Sequence, residues 1–182
     1  KNIKICKTET TPAPAVAELT LGLILDLLRK ISQHNWQMKK GYWKKDMGSL
    51  LSGKTLGIIG LGVIGKMLVQ LTKGFRLKYL AYDIHKDYEY AKKNGIKYCK
   101  LNDLLAQSDI VSSHLSLSSD VQGLIDYDAL KKMKSSAILI NTSRGEVIDE
   151  EALLSILDEG RISGAALDVY QQEPYRGQLL KY

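Results

Sequence analysis

Three glycines, Gly60, Gly62 and Gly65, stand at the G-x-G-x-x-G spacing that can hold a phosphate group. They overlap the apolar run Leu56 to Leu61 and are followed by Lys66 to Leu71, which has helical composition. In such a strand–turn–helix unit, the first glycine permits a sharp turn, the second lets a pyrophosphate approach, and the third lets the helix pack on the strand. The N–H groups and the dipole of the helix N-terminus attract the phosphates. The spacing therefore predicts a dinucleotide site.

A carboxylate suited to this site ends the second predicted strand, Lys78 to Asp83. It lies at about the 20-residue distance at which an acid hydrogen-bonds the adenosine ribose. Asp83 would accept bonds from both ribose hydroxyls and repel a 2′-phosphate, which favours NAD over NADP. The neighbouring His85 and Lys86 would instead help to tolerate that phosphate. Asp83 could also serve as the N-cap of the next helix.

An arginine follows the fifth predicted strand, Ala137 to Thr142. Arg144 lies beside Gly145 on the turn, where its guanidinium can donate two parallel hydrogen bonds to a carboxylate. The alternative is a surface salt bridge to Glu146 or Asp149. Both interpretations stay open at this point.

Two acids follow the start of the sixth predicted strand, Gly164 to Tyr170. Asp168 falls within this apolar segment, where an unpaired charge is unfavourable. Pro174 keeps Glu173 out of the helical conformation. Because ligands bind outside the carboxyl ends of parallel strands, we expect both acids to share a site with Arg144.

The elements that must position these residues alternate between strands and helices. The six predicted strands are Leu56 to Leu61, Lys78 to Asp83, Ile96 to Cys99, Ile110 to Leu115, Ala137 to Thr142 and Gly164 to Tyr170. Helices are predicted between them, at Lys66 to Leu71, Lys86 to Asn94, Leu101 to Gln107, Asp126 to Lys134 and Asp149 to Glu159. This alternation predicts an α/β fold, a doubly wound parallel sheet covered on both faces: the Rossmann dinucleotide-binding fold. At the end of the fourth strand, His114 either touches the cofactor or is structural.

The segment before the glycines has its own pattern. Lys1 to Cys6 is predicted as a short strand, and Asn35 to Gly53 as a loop. Between them, Ala15 to His34 is predicted as a helix with apolar residues on nearly every face. Such a helix either packs against another domain or chain or lies in the core.

Composition excludes several classes of protein. With 182 residues, 45% of them hydrophobic and 25% charged, the chain is expected to form an ordinary globular domain. The formal net charge of +6 is modest, and part of it lies in the lysine-rich loop around Tyr42 and Trp43. This pattern favours a solvated loop over a nucleic-acid site.

The sequence also gives no reason to expect a membrane span or a metal. The longest apolar stretch, Val16 to Leu28, contains Glu18 and Asp26 and is too short to span a bilayer. Cys6 and Cys99 lie far apart, without paired metal-ligand spacing. They are interpreted as ordinary thiols in a reducing compartment, which predicts a cytoplasmic location.

The chain resembles the NAD-binding domain of the D-isomer-specific 2-hydroxyacid dehydrogenases. The resemblance lies in five blocks: AVAELTLGLILDLLR (15–29), GKTLGIIGLGVIGK (53–66), SSHLSLSSDVQGLI (112–125), ILINTSRGEVIDEEAL (138–153) and GAALDVYQQEP (164–174). It implies hydride transfer between NAD and a 2-hydroxy or 2-keto acid substrate. Residues 1–10 then resemble the exit segment of a missing substrate domain, and residues 11–182 form the NAD-binding domain.

The resemblance also implies roles for single residues. Arg144 would hold the carboxylate and carbonyl of the substrate, and Glu173 would pair with a catalytic histidine and raise its pKa. The remaining implied cofactor contacts are Val63 and Ile64 at the pyrophosphate, Asp168 at the nicotinamide carboxamide, Thr142 and Ser143 along the ring, and Leu115.

One expected feature is absent: the family's catalytic histidine follows the E-P turn. The three histidines present, His34, His85 and His114, occupy other positions. We therefore expect residues 1–182 alone to bind NAD(H) without turning over 2-hydroxy acids, and to form a homodimer through Ala15 to Ile31. The alternative is a dinucleotide-sensing transcriptional corepressor of the C-terminal-binding-protein type, which shares this fold.

Overall fold

A single parallel sheet of six strands organises the chain. The computed structural model describes residues 12–116 and 119–181, so the predicted strand Lys1 to Cys6 and the predicted exit segment lie outside the described residues. The strands are β1 (Thr55–Ile59), β2 (Lys78–Tyr82), β3 (Ile96–Tyr98), β4 (Ile110–Ser113), β5 (Ile138–Asn141) and β6 (Gly164–Leu167). Their order in the sheet is β3-β2-β1-β4-β5-β6, with every pair parallel. This order confirms the predicted doubly wound fold.

Helices cover both faces of the sheet. They are α1 (Ala13–Arg29), α2 (Ile31–Lys39), α3 (Val63–Thr72), α4 (Tyr88–Lys93), α5 (Leu101–Gln107), α6 (Tyr127–Leu130) and α7 (Glu150–Asp158). Apolar side chains of α1, α3 and α4 pack on the face formed by residues such as Ile58 and Ile140. Those of α5, α6 and α7 pack on the opposite face, around Ile59 and Leu139. Burial on both faces explains why the strands are apolar throughout rather than alternating.

The register of the sheet brings the predicted site residues to one edge. Ile59 pairs with Tyr82 and with Ser113, while Asn141 pairs with Ser113 and with Leu167. The residues that directly follow these strand ends are therefore neighbours along the carboxyl edge: Gly60, Asp83, His114, Thr142 and Asp168.

The predicted helix Ala15 to His34 is wrong in its continuity. The structure has two helices there, and Lys30 between them has left-handed backbone geometry with φ 55°. The Asp26 carboxylate accepts hydrogen bonds from the backbone N–H of Ser32 (2.8 Å) and from its hydroxyl (2.9 Å). These bonds satisfy the start of α2, so the apolar periodicity alone did not reveal the break.

Three other boundaries differ from the predictions. The predicted loop from Asn35 to Gly53 begins inside α2. The fourth crossover helix is the four-residue α6, with Asp126 as its N-cap, and does not reach Lys134. The sixth strand ends at Leu167 rather than Tyr170.

Residues 42–50, here called the arm, have no regular secondary structure and expose large apolar side chains. The exposed fractions are 78% for Trp43, 92% for Met47 and 68% for Leu50. The arm is tied back to α1 by a hydrogen bond from Ser49 N–H to the Leu28 carbonyl (2.7 Å). Within the described ranges, no helix combines the length and apolar character needed to cross a bilayer.

Candidate functional site

Two of the three motif glycines are required by close backbone contacts. Gly60 has φ +92°, and a Cβ there would lie 2.9 Å from the His114 carbonyl oxygen. Its N–H donates to the Tyr82 carbonyl (2.8 Å). A Cβ on Gly65 would lie 2.7 Å from the Gly60 carbonyl oxygen and 3.0 Å from Ile58 Cγ2. The turn and the close packing of α3 on β1 therefore both depend on glycine.

Gly62 differs from the other two, because a Cβ there would meet no atom within 4 Å. It is the N-cap of the ten-residue α3 and is exposed. The first helical hydrogen bond runs from Lys66 N–H to the Gly62 carbonyl (2.9 Å). Within the described chain, no side chain caps this helix, so the N–H groups of Val63 and Ile64 point out of the helix end unbonded. Open space before unbonded N–H groups suits a bound pyrophosphate.

Asp83 supports the glycine turn. One carboxylate oxygen accepts a hydrogen bond from Leu61 N–H (2.7 Å) and the other accepts one from His85 N–H (2.8 Å). The alternative that Asp83 caps a helix is wrong, since the N-cap of α4 is Asp87, which accepts from Tyr90 N–H (2.9 Å). The bond to Leu61 was not predicted, because it joins residues from two strand ends.

The turn after β5 is organised by Asn141, which sequence reasoning missed. Its side-chain oxygen accepts from the Ser143 N–H (3.1 Å) and hydroxyl (2.8 Å), and its amide nitrogen donates to the Arg144 carbonyl (2.9 Å). The Ser143 hydroxyl also lies 3.0 Å from that of Ser113 on β4. An asparagine at a strand end typically bonds the backbone two residues on, and this was the available signal.

Thr142 anchors the same turn to helix α1. Its hydroxyl lies 2.9 Å from the Thr20 hydroxyl, and Thr20 in turn donates to the Val16 carbonyl (2.8 Å). Both threonines are buried. The apolar helix α1 thus holds the arginine-bearing turn through a buried polar contact.

Arg144 itself is exposed. Its Nη1 donates to the neighbouring Ser143 carbonyl (2.6 Å). Across residues 12–116 and 119–181, it forms no ion pair, so the alternative salt bridges to Glu146 and Asp149 are not present there. The remaining guanidinium donors are free to bind an anion.

Gly145 joins the turn of Arg144 to the turn of Glu173. A Cβ on Gly145 would lie 1.9 Å from the Tyr170 carbonyl carbon, so the two backbones touch. The Glu173 carboxylate accepts from Tyr170 N–H (3.2 Å), and Glu150 accepts from Gln171 N–H (2.6 Å). The structure therefore places the predicted arginine and acid on two adjoining turns.

The interpretation of Asp168 as a charge within an apolar strand is wrong. Its N–H donates to the Asn141 carbonyl (2.9 Å), but it follows the end of β6 and is exposed. Because the strand stops at Leu167, the carboxylate faces solvent at the edge of the sheet.

His114 is a neutral imidazole at this edge. Its Nε2 lies 2.9 Å from the Ser112 hydroxyl, and its Nδ1 is shielded from solvent with no partner among the described residues. Burial lowers the pKa of His114 from 6.5 to about 4. The structural interpretation of this histidine is therefore favoured.

We predict that His114 makes stability depend on pH. The unfolded chain binds this proton near pH 6.5 and the folded chain only near pH 4, so stability falls as pH decreases between those values. The full loss is about 3 kcal/mol. Urea denaturation at pH 7.5 and 4.5 measures it, and His114→Phe should flatten the slope, whereas the exposed His85→Gln should not. An equally steep slope in His114→Phe would contradict the prediction.

Among the residues described, no group of three or more His, Cys, Asp or Glu side chains is placed to hold a metal ion. Cys99 is a free thiol whose pKa is raised by burial.

Comparisons with known proteins agree with this geometry. A family model described as "D-isomer specific 2-hydroxyacid dehydrogenase, NAD binding domain" matches residues 21–181. Glyoxylate reductase of Thermofilum pendens is 42% identical, covering 96% of this chain and 53% of the relative. Glyoxylate reductase of Thermococcus litoralis is 38% identical, covering 99% of this chain and 57% of the relative.

A solved structure gives the same match in three dimensions. D-lactate dehydrogenase from Aquifex aeolicus, complexed with NAD and lactic acid, superposes with a TM-score of 0.83 at 34% identity. The match covers 88% of this chain and 49% of that one. The chain spans about half the length of each of these relatives.

Proposed function

This chain belongs to the D-isomer specific 2-hydroxyacid dehydrogenase family, and we propose that the whole protein transfers a hydride between NAD(H) and a D-2-hydroxy or 2-keto acid. Its matched part is the NAD-binding domain of that family, and its cofactor is NAD. One observation carries the proposal: the glycine turn and the adjoining turns of Arg144 and Glu173 lie along one carboxyl edge. The named relatives lend no support to the corepressor alternative.

The cofactor would lie across the strand ends. The unbonded N–H groups of Val63 and Ile64 would hold the pyrophosphate, with Gly62 leaving room for it. Asp83 would accept the ribose hydroxyls while its other bonds keep the glycine turn in place. The nicotinamide half would contact the residues of the fourth to sixth strand ends: Leu115, Thr142, Ser143 and Asp168.

The substrate would bind through Arg144. A free guanidinium can fork onto the carboxylate of a 2-keto acid and orient its carbonyl. Bound NADH supplies the hydride. Glu173 would hold an acid–base histidine in its protonated form, because a nearby carboxylate stabilises the imidazolium. That histidine is not assigned to any of the three in this chain.

We predict that Arg144→Gln, made in the longest chain that the gene encodes, lowers kcat/KM for 2-keto acids by about 100-fold or more. The dissociation constant for NADH should change less than about two-fold, because the lost contacts are to substrate. NADH oxidation with glyoxylate, hydroxypyruvate and pyruvate provides the assay. Arg161→Gln removes a surface arginine paired with Glu159 and serves as the control. Failure of the unsubstituted protein to oxidise NADH with any of these acids would overturn the proposed activity.

We further propose that the protein forms a homodimer through α1 and the arm. The apolar side chains there are too numerous for an ordinary monomer surface. Besides the arm, the exposed set includes Leu19 (41%), Ile31 (55%) and Trp36 (57%).

We expect Trp43→Glu combined with Met47→Glu to weaken self-association by about ten-fold or more, since buried apolar area drives such contacts. Sedimentation equilibrium measures the effect. Ile84→Glu charges an equally exposed side chain (80%) at a different place and should not change the association. A monomeric unsubstituted protein at high concentration would contradict the homodimer.

A further inference from the structure

We infer that His114 is a positioning residue of the dinucleotide site, whose side-chain contact with Ser112 holds residues 114–115 as the wall facing Gly60. The inference rests on the proposed dinucleotide site. It adds a residue whose side chain is not among the proposed cofactor contacts.

The backbone of His114 lines the glycine turn directly. Its N–H donates to the Ile59 carbonyl (2.8 Å), one residue beyond the end of β4. Its carbonyl oxygen lies 2.9 Å from the place of a Cβ on Gly60, and Leu115 Cδ2 lies 3.2 Å from the same place. These two residues are therefore the surface against which the turn closes on the β4 side.

The side chain of His114 reaches back along its own strand. Residues two apart in a strand lie on the same face, so the imidazole can meet the hydroxyl of Ser112. Ser112 is fully buried and pairs with Ile58 and with Ile140 in the sheet. The fixed end of the contact is thus in the rigid centre of the sheet, and the free end is at the rim of the site.

No other polar contact of the His114 ring is found among the described residues. Nδ1 is shielded and unpartnered, so the hydrogen bond of the ring depends on Ser112 alone. The next residue, Ser116, is already exposed. Losing the contact leaves a buried polar ring unsatisfied, which favours a shift of the segment that carries it.

The test is a double-mutant cycle on NADH affinity. Ser112→Ala, His114→Phe and the double variant are titrated with NADH by calorimetry at pH 8, at a temperature where each is folded. Thr72→Val removes another buried hydroxyl, bonded to the Leu68 carbonyl (2.7 Å) far along α3, and is the control for general destabilisation.

We expect each single variant to weaken NADH binding about five-fold, the equivalent of one lost hydrogen bond. The double variant should be no weaker than the worse single variant, because both act through one contact. Thr72→Val should stay within about two-fold, since its lost bond lies outside the site. If Ser112→Ala binds NADH as the unsubstituted protein does, or the effects multiply, the inference is wrong while the proposed function stands. If the unsubstituted protein binds no NADH, both fall.

Discussion

Gly62→Ala is expected to leave the protein folded and to weaken NADH binding about ten-fold or more, a loss of about 1.4 kcal/mol. A methyl group on Gly62 meets no protein atom within 4 Å, and the backbone there is extended at φ −77°. The change in stability should therefore stay within about 1 kcal/mol, the scale of an altered N-cap. The methyl group would occupy the space that we assign to the pyrophosphate. Calorimetric titration gives the affinity, and thermal unfolding gives the stability.

Gly74→Ala is the matched control for this prediction. Gly74 also has open space around its missing side chain and no positive φ, but it lies beyond the far end of α3. Its NADH affinity should be unchanged. Equal affinities of Gly62→Ala and the unsubstituted protein would mean that phosphate does not bind at this helix end.

Gly145→Ala is expected to have the opposite signature, a loss of stability of about 3 kcal/mol or more. The added Cβ would fall 1.9 Å from the Tyr170 carbonyl carbon, and neither backbone can move without breaking its neighbours' contacts. Asn141 holds the first backbone through the Arg144 carbonyl, and Glu150 holds the second through Gln171 N–H. Urea denaturation measures the effect.

Gly22→Ala tests whether this loss belongs to the site or to glycine replacement in general. Gly22 lies inside α1 with nothing near its missing Cβ, so alanine there should stabilise the helix by about 1 kcal/mol. A Gly145→Ala protein as stable as the unsubstituted one would show that the two turns do not touch as described.

Local patterns were enough to predict the sheet and most of its edge. The glycines, the apolar strands and the acid of Asp83 each carry their signal within a few residues, and parallel topology then brings the strand ends together. The break at Lys30 escaped because the apolar periodicity continues through it, while the cap from Asp26 is a single side-chain choice.

The contacts that hold the site in place could not be read from the sequence, because they join distant parts of the chain. Thr20 meets Thr142 across 122 residues, and nothing near either residue announces the partner. Gly145 was noted only as a neighbour of Arg144, although its role is to let another backbone approach. Asp168 was misplaced because its strand ends three residues earlier than the apolar pattern does. Such features depend on tertiary packing, which overrides local preference.

The measurement that tests the proposed site most directly is a crystal structure of this chain with NAD bound. We predict pyrophosphate oxygens within hydrogen-bond distance of Val63 and Ile64 N–H, ribose hydroxyls on Asp83, and the nicotinamide ring beside the turns of Arg144 and Glu173. A pyrophosphate bound away from the start of α3, or a nicotinamide ring on the β3 side of the sheet, would contradict it.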